Sequence, residues 1–135
     1  MPLPTVISRG IWEKLLSEAR KTPGIECCGL LGGRGGRVTS IYPAPNHLES
    51  ATDYEITAPE LFRLIREIRG AGEQLVGIYH SHPTTENRPS VRDVERAHYP
   101  DVAYVIVSPR DAVPNPVRAF SIRDSVVAEL RLEIV

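Results

Sequence analysis

Between Leu75 and Pro83 the chain reads Leu-Val-Gly-Ile-Tyr-His-Ser-His-Pro, and no other stretch restricts its fold as much. The mostly apolar run Leu75–Tyr79 has the character of a central strand covered on both faces. Strand side chains alternate between faces, so residues two apart share one, their backbones ~6.6 Å apart. His80 and His82 therefore point the same way, and Pro83 ends the strand directly after them. The chain must turn there and can bring a later residue back beside the two imidazoles. Asp93 is placed for this, with Ser90 between. Two imidazoles and a carboxylate can fill three corners of a tetrahedral zinc site with Zn–N distances of ~2.0–2.1 Å. A fourth corner left for water separates catalytic from structural zinc. The same residues have plainer uses. A His-x-His pair also occurs as a packing or surface feature, and Ser90-Val-Arg-Asp93 matches a helix capping box, which needs no metal. Spacing alone leaves both readings open.

The remaining segments supply a framework. Residues 5–7 can form a short strand. Ser8 suits an N-cap, since Ile11, Trp12, Leu15, Leu16 and Ala19 recur at helical spacing until Thr22-Pro23-Gly24 ends the pattern. Residues 25–31 and 37–42 read as strands joined by Gly32-Gly33-Arg34-Gly35-Gly36. No Lys-Ser/Thr follows these glycines and no helix pattern starts there, so they form a hairpin turn rather than a phosphate cradle. Pro43 to Thr52 reads as loop and Tyr54-Glu55-Ile56 as a short extended piece. Thr57-Ala-Pro-Glu60 is a capping-box sequence opening a helix striped with Leu61, Leu64, Ile65 and Ile68. Gly70 and Gly72 end that helix. Residues 83–89 are loop, Ser90 starts a short helix, residues 103–107 form a buried strand, and residues 128–134 alternate as one half-exposed strand. The expected fold class is α/β, one domain over residues 1–135, with a mixed sheet of about six strands flanked by helices.

Composition removes several function classes. A net charge of −1, with basic residues scattered, gives no electrostatic footprint for nucleic acid and no attraction to anionic membranes. No run approaches the ~20 apolar residues of a membrane span, and no basic-then-apolar leader opens the chain, so a cytoplasmic protein is expected. Cys27 and Cys28 are adjacent, which rarely permits an unstrained disulfide; they read as reduced packing residues. A Cys-His peptidase is disfavoured because nothing points to an activated thiolate. A nucleotide deaminase would need Pro-Cys-x-x-Cys and His-x-Glu, both missing. His47 and His98 read as surface residues.

The segment Val76-Gly77-Ile78-Tyr79-His80-Ser81-His82-Pro83, with Ser90 and Asp93 after it, resembles the signature of the JAMM (MPN+) zinc peptidases. That family carries His-x-His, seven residues, then Ser-x-x-Asp, and every position is kept. Its upstream element, a Glu in a context such as Glu-x-x-Gly-Leu-x-x-Gly, is matched by Glu26-Cys27-Cys28-Gly29-Leu30-Leu31-Gly32-Gly33. Asn46 and Tyr54-Glu55-Ile56 fall where relatives carry similar residues. The likeness spans about residues 25–108 and points to the compact prokaryotic type, whose fold is the MPN, cytidine-deaminase-like, α/β arrangement.

The resemblance implies one catalytic Zn2+ held by His80, His82 and Asp93. It also implies that Glu26 is a general base that takes a proton from water and delivers it to the departing amine, with the Ser90 hydroxyl steadying the oxyanion. The role of Glu26 comes from the resemblance alone. The implied substrate is a peptide or isopeptide bond after the C-terminal Gly-Gly of a small ubiquitin-like or sulfur-carrier protein, in sulfur or cysteine metabolism. Two rival readings are a non-catalytic MPN-type scaffold and a less selective cell-wall zinc peptidase.

Overall fold

The computed structural model describes residues 3–135; Met1 and Pro2, the first residues of the expected 1–135 domain, lie outside the described residues. Its elements run β1 (Val6–Ile7), α1 (Arg9–Lys21), β2 (Cys28–Arg34), β3 (Arg37–Ala44), α2 (Ala58–Gly70), β4 (Gln74–Ser81), α3 (Val91–Glu95), β5 (Ala103–Val107), β6 (Val117–Arg123), β7 (Val126–Leu130) and β8 (Glu133–Ile134). One mixed sheet holds all eight strands in the order β7-β6-β5-β4-β2-β3-β1-β8. The expected count of about six is corrected to eight among the described residues, because β6 lies in a segment to which the sequence reading assigns no element and the C-terminal stretch divides in two.

Alternation along the strands builds two cores. Leu31, Tyr79 and Val105 face α1 and pack with its Ile11, Leu15 and Ala19. Leu30, Ile78 and Tyr104 face the other way, against Leu64 and Ile68 of α2. Each fully buried aliphatic side chain of this kind contributes ~1.5–3 kcal/mol. Ser8 caps α1 as expected, its hydroxyl accepting from the Ile11 amide at 3.2 Å. Thr57 is the N-cap of α2 without a side-chain cap bond. The expected capping box is absent there, and Glu60 pairs with Arg63 at 2.7 Å. The β2–β3 hairpin turns on Gly35 and Gly36, both at positive φ, 61° and 77°. Gly32 and Gly33 belong to β2 at register shifts of the ladder. An added Cβ on Gly33 would collide with the Arg37 carbonyl, so the bulge requires glycine there.

The C-terminal stretch shows how the sheet curves. β7 and β8 are consecutive in the chain yet occupy opposite edges of the sheet. Eight strands laid flat at ~4.8 Å would put the edges roughly 34 Å apart. Leu130 and Glu133 are three residues apart, a reach of at most ~11 Å. The sheet therefore curls round α1, and the chain crosses from edge to edge through Leu132, which packs with Leu130 against the α1 core. β8 then pairs in parallel with β1. The single strand expected over 128–134 is thus two strands serving opposite edges.

Candidate metal centre

β4 lies mid-sheet, antiparallel to β2 and parallel to β5, with His80 opposite Cys28 on one side and Ile106 on the other. Beyond the strand end the His82 amide still bonds the Val107 carbonyl, at 2.9 Å. Both imidazoles share a face with Ile78, as their spacing requires. Tyr54 stacks on His80 with ring centroids 4.5 Å apart.

The return of the chain is set by α3. Ser90 caps it through a complete capping box: the Ser90 hydroxyl accepts from the Asp93 amide at 3.1 Å, and Asp93 Oδ2 accepts from the Ser90 amide at 2.9 Å. The same Oδ2 lies 3.1 Å from His82 Nε2 and 3.2 Å from His80 Nε2, and the two Nε2 atoms are 3.1 Å apart. The capping and metal-site readings of Asp93 are therefore compatible, and one oxygen serves both.

This near-equilateral triangle fits a metal ion. Ligand atoms bound tetrahedrally at ~2.0–2.1 Å stand ~3.3–3.4 Å from one another, close to the observed edges. Lone pairs give a second argument. His82 Nδ1 is 2.8 Å from the Glu86 carbonyl oxygen. A carbonyl only accepts, so Nδ1 carries the hydrogen and Nε2 of the neutral ring presents a lone pair. That lone pair faces a carboxylate oxygen, and either a second proton on Nε2 or a metal ion between the two atoms resolves the clash of acceptors. His80, His82 and Asp93 are a group that could hold a metal ion.

Glu26 sits on the neighbouring segment. The sequence placed it within a strand, whereas β2 begins at Cys28. Glu26 and Cys27 precede the strand, tied by the Ser81 amide to the Cys27 carbonyl and by the Cys27 amide to the Ser81 hydroxyl, at 3.0 and 2.9 Å. The Glu26 backbone is also held by the Ser50 carbonyl and by the Asn46 side-chain amide, at 2.8 and 3.0 Å. Its side chain is 4% exposed and Oε1 has no hydrogen-bond partner.

Burial pushes the Glu26 carboxyl up to about 8, against the pull of His82 and with added repulsion from Asp93 and Asp53. Burial lowers the pKa of His80. Burial also opposes charge on His82, but the Asp93 carboxylate and Glu86 carbonyl outweigh it and raise that pKa. Asp93 is held well below the usual carboxylate range: the two histidines and the Ser90 amide overcome its burial.

Several contributors were invisible to sequence patterns. Asp53 is buried and accepts from Arg92, Arg96 and the Tyr54 amide, at 3.0, 2.7 and 2.9 Å. It borders a cavity of about 400 Å³, together with Asp93, Tyr54, Ile78 and Tyr104. His98 and His47 are both exposed, as expected; His98 lines that cavity and His47 lies 4.0 Å from Glu55. Cys28 is buried beside the Ala44 and Pro45 carbonyls, and burial pushes its thiol up to about 12, which fits packing rather than nucleophilic use.

The sequence model describing prokaryotic homologues of the JAB domain matches residues 8–123. The chain belongs to this JAB/MPN family. Among its curated relatives is the CysO-cysteine peptidase of Mycobacterium tuberculosis, 36% identical over 132 residues, spanning 96% of this chain and 90% of the relative. The desampylase of Haloferax volcanii is 38% identical over 104 residues, 72% of this chain and 75% of that one. The solution structure of a Desulfitobacterium hafniense protein superposes with a TM-score of 0.85 at 31% identity, covering 97% of this chain and 92% of that one. The expected family and mixed α/β fold are borne out, with the strand count as the correction.

Proposed function

We propose that this chain is a zinc peptidase cutting the bond after the C-terminal Gly-Gly of a small ubiquitin-like or sulfur-carrier protein, as one domain over residues 1–135 in the cytoplasm. The observation that carries the reading is the triangle of His80, His82 and Asp93 beside the buried, unpartnered carboxyl of Glu26. The peptidase and desampylase names of the relatives support the substrate class. No described helix is long and apolar enough to cross a membrane.

His80 Nε2, His82 Nε2 and Asp93 Oδ2 would hold the ion. What zinc supplies when bound is Lewis acidity and a water acidic enough to react near neutral pH. Glu26 Oε1, free of protein partners, takes the proton of the attacking water and passes it to the departing amine. The Ser90 oxygen is occupied by the Asp93 amide, which leaves its O–H free to donate to the developing oxyanion. A Gly-Gly tail has no side chains to obstruct extended pairing beside the site.

The test is cleavage of a sulfur carrier bearing a peptide after its Gly-Gly, comparing wild type and Glu26→Gln, each with and without a zinc chelator. Loss of cleavage in the variant and on chelation is expected. A scaffold would carry no stoichiometric zinc. Zinc binding without carrier cleavage would sink the substrate assignment while leaving the site standing, and release of peptidoglycan fragments would then favour the cell-wall reading.

A further inference from the structure

Asn87 sits in the polar loop 83–89, between exposed Glu86 and exposed Arg88, yet is only 2% exposed itself. Its side-chain amide nitrogen donates to the Ile106 carbonyl at 3.3 Å and to the Asn115 carbonyl at 2.8 Å. The first acceptor lies on β5, in register with His80; the second lies in the segment leading into β6. Asn87 therefore pins the loop to two parts of the sheet framework.

What it pins matters for the metal centre. The Glu86 carbonyl, which accepts from His82 Nδ1, belongs to the same planar peptide unit as the Asn87 nitrogen. That carbonyl also accepts the Arg88 amide at 2.8 Å. Fixing Asn87 fixes the plane of this peptide, and the plane aims the carbonyl. Few side chains can do this. Two buried carbonyls facing one point call for two N–H bonds from a single uncharged group. Asn supplies them, Asp supplies none, Ser supplies one, and Lys or Arg would bury a charge.

We propose that Asn87 is a positioning residue of the metal centre: by clamping the loop to β5 it holds the Glu86 carbonyl against His82 Nδ1 and so keeps the hydrogen of the neutral ring on Nδ1 and Nε2 turned toward Asp93 and His80. This rests on the reading that the triangle binds a metal ion. Partners that orient a ligating histidine in this way typically contribute ~10–100-fold to metal affinity.

The test uses the full chain with Asn87→Ala and Asn87→Ser, and with Ile68→Val in the α2 core as a control for ordinary loss of stability. In metal-free protein, at a pH where His82 is neutral, nitrogen NMR of the imidazoles reads the His82 tautomer directly. Wild type should show a single Nδ1–H form, and Asn87→Ala a mixture of both forms. Competition of Zn2+ alone against a chromophoric chelator should then show ~10–100-fold weaker binding for Asn87→Ala. Asn87→Ser, keeping one donor, should fall between, and Ile68→Val should match wild type in both readouts. If Asn87→Ala does not fold, the comparison of Asn87→Ser with Ile68→Val decides. An unchanged tautomer and unchanged zinc affinity in the Asn87 variants would overturn the proposal. If wild type itself binds no Zn2+, the metal reading fails, and the tautomer measurement alone decides the role of Asn87.

Discussion

Glu26 shares its surroundings with His82, Asp93 and Asp53, and this company sets a measurable pH dependence. Its folded pKa is raised from 4.5 to about 8, chiefly by burial. Between those values the metal-free folded protein keeps a proton that the unfolded chain has released. The contribution of Glu26 to stability therefore declines as pH rises through that interval and levels off above about 8. Glu26→Gln removes the effect, so in chelator its Tm advantage over wild type should grow from pH 5 to pH 8, as read by thermal melts. The same variant should retain zinc and lose ~10²–10⁴-fold in turnover. Strand alternation and a following proline put His80 and His82 on one face and let Asp93 return, but spacing left a plain reading open, and the family resemblance supplied the choice of these three as candidate metal ligands. Glu26 was legible only through family resemblance: nothing local marks one glutamate among many. Asp53 and Asn87 carried no signal, because their partners, Arg96 and Ile106 among them, become neighbours only in the folded chain.

The helix α3 has five residues, far too few to persist without help. Its capping box provides that help and simultaneously orients Asp93. Ser90→Ala should cost ~1 kcal/mol of stability and lower kcat by ~10²–10³. Ser90→Asn restores an N-cap acceptor but no hydroxyl, so stability should recover while kcat stays low. Recovery of both in thermal melts and initial-rate measurements would remove the hydroxyl from the mechanism. Helices and central strands were readable because their apolar periods are strong. The β6–β7 hairpin was not: it turns at Asp124-Ser125, with φ of 49° and 63°, without the glycine that usually marks such a turn. Pro114 and Pro116 just upstream further disguised the approach to β6.

His80 lies on β4, His82 just past its end and the aspartate on α3, so a bound ion ties two elements that loop 83–89 otherwise joins. Zinc should therefore stabilise the folded state by ~2.7 kcal/mol at a hundred times Kd, and Tm should climb with its concentration. Calorimetry of Asp93→Ala should show no such rise. At the β8 edge of the sheet, removing residues 131–135 strips β1 of one neighbour and uncovers part of the α1 core. A loss of about 2 kcal/mol, roughly 5–10 °C in Tm, is expected from thermal melts.

The edge-to-edge crossing at Leu132 also governs the order in which the molecule can be completed during synthesis. The Arg9 amide bonds the Val135 carbonyl and the Val135 amide bonds the Ile7 carbonyl, at 2.8 and 3.0 Å. Glu26, His80, His82 and Asp93, the residues of the candidate centre, are made well before residues 131–135. Every group of the candidate centre thus precedes residue 131 in the chain, and during synthesis β1 keeps one side bare until residues 131–135 have been added.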